Sequence, residues 1–434
     1  MTVARGGNRA ILRLALPALG TLAIDPILTL TDTAFVARLG VSELAALGVD
    51  TAILGFAFFG FNFLAYVTTP LVAQALGKGD GPQARRWVGD ALVLAVILGL
   101  VAMVAVLVLA PGLVSLMGAE SEVAGPAVSY LRIRVLATPA VLIVTTGHGA
   151  FRGYQDTRTP LLVAIGVNLI NLVLDPLLIF WAGLGVEGAA LATLAAQYVG
   201  AVWFLRLLRS RRMADRPAGL RDAVPTLLAL GRSGVLVALR TGALLLALTF
   251  AAATATRIGA AEIAAHQVVM QVWLLAAMIA DSFAIAGQAM VGDAVGAGDR
   301  SGTDRLSWRL LLWGGVTGLV LMTVFLIGNP LLASLVDDPQ VADLTVSAGE
   351  VAGWMMPVAA PLFVADGIFF GLLALGTVVA STSLGAVVVV LLISLTPLGD
   401  SLDGIWWAIA AMVVARGLVY LFAYRRSVEA AVRS

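Results

Sequence analysis

Apolar blocks, each long enough to cross roughly 30 Å of hydrocarbon as a helix of about 20 residues, follow one another along nearly the whole chain. Glycine, proline and charged residues punctuate them. The pattern predicts twelve spanning helices, near 10–37, 46–75, 88–113, 124–150, 159–182, 187–208, 230–256, 263–292, 307–335, 346–373, 376–397 and 404–424. The first block follows a basic start, as in a signal peptide. Its apolar run continues through Phe35 without a small-residue cleavage site, so it reads as a retained span.

Composition narrows the class. Of 434 residues 60% are hydrophobic and 12% charged, about half the charge of an average soluble domain, which is roughly 25%. The longest polar stretch, Arg206 to Asp222, is too short to fold alone. The absence of cysteine excludes disulfides and thiolate metal sites, and two histidines, His148 and His266, exclude a His-rich one. No metal or organic cofactor is expected.

Charge is distributed by side. Arg9 and Arg13, Lys78 with Arg85 and Arg86, Arg152 and Arg158, the run Arg206 to Arg212, Arg300 with Arg305 and Arg309, and Arg425 with Arg426 fall on alternate connections and at both ends. The opposite side holds Arg38 and Arg257 and collects acids such as Glu122, Glu187, Asp337, Asp338, Asp400 and Asp403. The positive-inside rule then places both termini in the cytoplasm. This regular alternation with apolar spans argues against nucleic-acid binding, while anionic lipid suits the Arg-rich connection. Lys78 is the lysine among 27 basic residues, a composition expected of a GC-rich prokaryote.

The chain is also duplicated. RLGVSELAALGV (Arg38 to Val49) matches RIGAAEIAAHQV (Arg257 to Val268), and ALGKGD (Ala75 to Asp80) matches AVGAGD (Ala294 to Asp299). Both pairs are 219 residues apart (257 − 38 and 294 − 75). Six spans per half is an even number, so the halves enter the membrane in the same sense and form parallel repeats, a signature of secondary transporters. The expected domains are a bundle over 1–210, an Arg-rich cytoplasmic linker over 211–228 and a second bundle over 229–434.

A carboxylate costs several kcal/mol in hydrocarbon, so acids inside spans are functional candidates. Asp25 and Asp32 lie in the first span, Asp175 in the fifth, Asp281 in the eighth and Asp366 in the tenth. Asp50, Asp90, Asp293 and Glu350 sit close to predicted span ends and read as interfacial. Asp25 and Asp32 are two turns apart, hence on one face, with Pro26 between them loosening the backbone. Asn168, Asn171 and Asp175 share a stripe, as do Thr193 and Gln197 one span later. A carboxyl able to take up a proton, held by neutral donors, is what a proton or cation site needs. The alternative is that these groups only hydrogen-bond helices together.

At the offset of 219, Asp32 faces Ala251, Asp175 faces Ser394, and Asp281 faces Asn62. Asp366 falls near Gly147, where the register can slip by one. The acids differ between halves, so the halves have specialised. Arg240, a base inside the seventh span, requires an acid or a water-filled cavity, and Asp281 or Asp366 is the natural partner. His148 is a candidate to face a cavity, whereas His266, in the repeat motif, reads as interfacial. Trp273, Trp354, Phe369 and Phe370 read as packing groups, with the lining of a substrate cavity as the alternative.

Together LALPALG, TDTAFVARLGVSELAALG, FRGYQDTRTPL, NLVLDPLL, IAAHQV, DSFAIAGQAMVG and DGIFFGLL closely resemble the multidrug and toxic compound extrusion (MATE) family, DinF-like branch, over essentially the whole chain. The resemblance implies an all-α polytopic membrane protein of twelve helices in two six-helix repeats around a V-shaped cavity. It implies a secondary antiporter exporting drugs or metabolites, cationic or amphipathic, against H+ with Na+ as the alternative. Asp32 and Asp175 would serve coupling, with Asn171 and Thr193 as polar neighbours and Pro26 as the bending point. Family members that use Na+ have acids in the seventh and tenth spans. Here Asp366 fills the tenth-span position but Arg240 stands in an acid-free seventh span, which favours H+. A small-molecule substrate, lipid contact, a monomer and a prokaryotic inner-membrane location complete the expectation.

Two rivals remain. A lipid-linked oligosaccharide flippase would need a cation-rich cavity, and the spans offer only Arg132, Arg134, Arg240 and Arg416. An intramembrane enzyme would need a nucleophile with its base or a metal motif, and neither H-E-x-x-H nor G-x-S-x-G occurs.

Overall fold

The protein is seen here in a computed structural model that describes residues 7–119, 121–215 and 220–433, apart from the side chains of residues 25, 56–59, 121 and 220–223. The described residues fold almost entirely as helix. In chain order these are α1 (Asn8–Val36), α2 (Val41–Phe61), α3 (Phe63–Gly77), α4 (Gly81–Leu116), α5 (Ser121–Val135), α6 (Thr138–Gly153) and α7 (Arg158–Pro176). There follow α8 (Gly185–Ser210), α9 (Leu220–Ile258), α10 (Ala260–Gly296), α11 (Arg300–Ala333), α12 (Pro339–Gly371), α13 (Leu375–Leu395) and α14 (Leu402–Arg433).

Among the described residues ten helices are long and apolar enough to cross a membrane, and the pair α5–α6, bent by 49°, makes an eleventh. The remaining predicted span, 46–75, is occupied by α2 and α3, which divide at Asn62. Each predicted span therefore lies on one helix or one broken pair. The protein is an all-α polytopic membrane protein. Wide apolar faces remain exposed on α4 and α11, as lipid contact requires. α7 continues through Pro176 into one π turn, Leu177–Trp181. A proline lacks the N–H that regular α bonding needs, and a widened turn accommodates that loss.

The repeated motifs are turns and caps. Gly79 and Gly298, at equivalent positions, have φ of 78° and 67°, a left-handed conformation that glycine adopts without steric cost. The next residue caps the following helix in each half: Asp80 accepts from Gln83 N at 2.9 Å, and Asp299 from Gly302 N at 2.8 Å. Helix crossings are duplicated too. A Cβ on Gly149 would lie 2.8 Å from Ala65 Cα, and one on Gly367 2.5 Å from Ala284 Cα. A Cβ on Gly99 would meet Pro139 Cα at 2.6 Å, and one on Gly318 Pro357 Cα at 2.9 Å. Small residues there let membrane helices approach closely. Ala65 and Gly99 keep the offset of 219, but Gly149 and Pro139 require 218. The register does slip by one, and Asp366 becomes the counterpart of His148.

Two compact units emerge, residues 20–234 and residues 7–19 with 235–434. These limits differ from a cut at the Arg-rich connection, because apolar packing ignores chain order. Ala10, Ile11, Leu14 and Ala15 of α1 pack with Phe283, Met290, Leu310 and Ile368 in the second unit's core. The core of the first unit gathers Val72, Val88, Phe151, Val163, Phe204 and Leu208 from α3, α4, α6, α7 and α8. Helix α9 already begins at Leu220, inside the expected linker, and residues 216–219 of that linker lie outside the described residues.

Candidate coupling site

In the first unit α1 runs unbroken past Pro26 to Val36. Thr31 and Thr33 turn their hydroxyls onto the carbonyls of Ile27 and Thr29, at 2.6 and 2.7 Å, which satisfies those groups within the helix. Asp32 lies between these two threonines and is half-buried. Asp25 is on the same helix, but its side chain lies outside the described residues.

Helix α7 brings the predicted stripe to Asp32. Asn171 and Asp175, one turn apart, are both fully buried, at 0% exposure. With the Asn171 amide oriented to satisfy both ends, its nitrogen donates to Asp32 Oδ1 at 2.9 Å and to Asp175 Oδ2 at 3.2 Å. The other end of the amide lies 3.4 Å from the Thr193 hydroxyl of α8, which is anchored on Ala189 O at 3.0 Å. Asp32 and Asp175 are thus reached by one amide nitrogen. Asp32, Asp175, Asn171 and Thr193 form one polar cluster drawn from three helices.

The remaining candidates stand further out. Asn168 donates to Ala164 O at 2.8 Å and leaves its buried Oδ1 without a partner. Gln197 is half-buried one turn beyond Thr193. His148 lies against the Phe204 ring at 5.2 Å, as part of the α6–α8 packing rather than of the acid cluster.

Two groups were not anticipated. Asp50, expected at an interface, is fully buried on α2, and Arg134 of α5 acts electrostatically on Asp32, Asp50 and Asp175. The sequence did hold a signal for Asp50. It lies one turn from Ala46 and from Leu54 on an apolar stripe, and its repeat counterpart is Val269.

In the second unit Arg240 finds Asp366, donating to Oδ2 at 2.7 Å. Arg416 donates to both oxygens of that carboxylate at 2.8 Å, and the Tyr420 hydroxyl donates to Oδ1. Asp281 lies within electrostatic range of Arg240, Arg416 and Asp366. Asp366 is saturated by these donors, and no group of three potential metal ligands occurs among the described residues. His266, expected at an interface, is instead 1% exposed and packs against the Trp406 ring. Trp273 packs on Phe363 and Phe369 on Tyr420, while Trp354 is 58% exposed.

Comparison with known proteins agrees with this architecture. The MatE family profile matches twice, over residues 17–177 and 238–396. The chain belongs to the MatE family. The two matched segments correspond to the duplicated halves. The chain is similar to Protein DETOXIFICATION 44, chloroplastic, of Arabidopsis thaliana, with 32% identity over 94% of this chain and 80% of that protein. It is 30% identical to DNA damage-inducible protein F of Escherichia coli, covering 98% and 94% of the two chains. The fold matches the crystal structure of the Vibrio cholerae MATE transporter VcmN in the bent form, with a TM-score of 0.91, 20% identity and coverage of 98% and 97%. As a MATE family member the protein is an efflux transporter and not an enzyme.

Proposed function

We propose that the protein is an H+-coupled antiporter in which Asp32 and Asp175 carry the coupling proton and Asn171 and Thr193 hold them in register. The substrates are drugs or metabolites of cationic or amphipathic character. The observation that carries this reading is the Asn171 amide, donating to Asp32 and Asp175 together inside the helix bundle. With the pair deprotonated, two like charges stand in low dielectric. One proton relieves that repulsion, so proton binding and a cationic substrate compete for the same charge. Bending of α1 at Pro26 is the movement through which this competition reaches the substrate. Coupling to H+ rather than Na+ is favoured because Asp366 is already neutralised by Arg240 and Arg416. A small-molecule substrate without a protein partner, a monomeric state, a prokaryotic inner membrane and cytoplasmic termini belong to the same reading.

The test is uptake of a fluorescent cationic dye into inverted vesicles holding the purified protein, with pH and Na+ gradients imposed separately. Dye movement driven by the pH gradient alone supports the reading. Movement driven only by Na+ overturns it.

A further inference from the structure

Asp50 sits in the middle of α2 with 0% exposure, and neither carboxyl oxygen has a hydrogen-bond partner. Ala46 and Leu54, one turn to either side, belong to an apolar cluster with Ala110 and Val114 of α4 and with Ala127 and Leu131 of α5. A carboxylate left bare in such a seam is the costly form of the group, and a bound proton removes that charge. Nothing in the packing asks for an acid here. The equivalent position of the second half is Val269, 2% exposed.

The groups acting on Asp50 come from α5. Arg134, one turn past Leu131 and beside the break between α5 and α6, acts on it electrostatically, as it does on Asp32 and Asp175. Tyr130 of the same helix is 4% exposed. From α4 the seam receives Ala110 and Val114, with Val106 packed beside them. Arg134 also keeps one buried nitrogen, Nη1, without an acceptor. A half-buried arginine with one buried, unused donor and a buried carboxyl with two unused acceptors therefore share one electrostatic cluster.

We propose that Asp50 is a further proton-binding site of the first unit, with Arg134 as the counter-charge it shares with the Asp32–Asp175 pair. The inference rests on the coupling role proposed for that pair. With three carboxyls and one guanidinium, the cluster is neutral when two protons are bound, one in the pair and one on Asp50. In that state the guanidinium offsets the one charge left on the pair. Loss of the pair's proton, or of the Asp50 proton, adds a second carboxylate against the same guanidinium. Arg134 cannot fully neutralise both at once, so each deprotonation raises the proton affinity of the other site. Proton uptake at the two sites is therefore linked through one side chain.

The test uses full-length protein in proteoliposomes, comparing wild type, Asp50→Asn and Asp175→Asn. Infrared difference spectra between acid and alkaline buffer report the carbonyl stretch of protonated carboxylic acids. Asp50→Asn is expected to fold and to lose one component of that band, distinct from the component lost in Asp175→Asn. Protons moved per cationic dye molecule, read with a trapped pH indicator, should fall by about one, the protons being released in macroscopic steps that belong to the cluster. An unchanged band in Asp50→Asn overturns the proposal. If Asp50→Asn does not fold, Asp50→Ser takes its place. Failure of both neutral side chains to fold shows that the charge itself is structural and also overturns it. A lost band component in a wild type that shows no pH-driven dye movement keeps Asp50 as a proton site and removes the coupling reading instead.

Discussion

Arg416 donates to both carboxylate oxygens of Asp366, each at 2.8 Å, from a position 50 residues further along the chain. With Arg240 and Tyr420 on the same carboxyl, this acid is held as an ion cluster that ties α9, α12 and α14 together. Removing one partner of such a cluster strands a buried charge, at a cost of about 3–5 kcal/mol. Asp366→Ala is expected to lower the melting temperature and folded yield in detergent sharply. Arg416 is 1% exposed, so Arg416→Ala should do the same.

The duplicated crossings make a second expectation. A Cβ on Gly367 would lie 2.3 Å from Ala284 O, a backbone atom that cannot step aside without moving α10. Overpacking of this kind costs about 1–3 kcal/mol. Gly367→Ala should destabilise the protein by that amount, and Gly149→Ala, in the corresponding crossing with Ala65 and Thr68, by a similar one. The control is Gly112→Ala, where no atom lies within 4 Å. Its melting temperature should stay at the wild-type value or rise, since alanine favours helix.

Asp156, in the connection between α6 and α7, gives a pH-dependent expectation. Burial alone would raise its carboxyl. Hydrogen bonds from the Thr159 hydroxyl and backbone, and the Arg211 guanidinium at 2.9 Å, outweigh burial and hold it below the ordinary carboxylate range. A group whose pKa is depressed by folding stabilises the protein above its unfolded pKa and ceases to do so as pH falls through its folded one. Acidification should therefore destabilise wild type more than Asp156→Asn. At neutral pH the variant should lose about 1 kcal/mol, a modest figure because Arg211 is half exposed to screening solvent.

The sequence disclosed the helices because hydropathy and turn chemistry agree along it. Gly79, Asp80, Gly298 and Asp299 are read from type and spacing alone, since each satisfies a local backbone need. The Asn171–Asp175 stripe was legible for the same reason, four residues on one helix making one face. What joins distant helices was not. Asp32 meets Asn171, and Arg416 meets Asp366, across separations that periodicity does not encode. Asp50 reads as interfacial in the sequence because charged residues near a predicted span end ordinarily reach water. Only the packing of α2 against α4 and α5 removes it from solvent. The one-residue slip that aligns Asp366 with His148 needed the glycine crossings to locate it.

The central claim is that a proton on Asp32 and Asp175 drives export, and that neither residue is needed for folding. The most direct measurement is proton movement accompanying dye movement in proteoliposomes, for wild type, Asp32→Asn and Asp175→Asn, each checked for wild-type melting behaviour. Wild type should move protons against dye, and both variants should remain folded yet uncouple the two fluxes. Wild-type coupling in a folded Asp32→Asn protein would contradict the account.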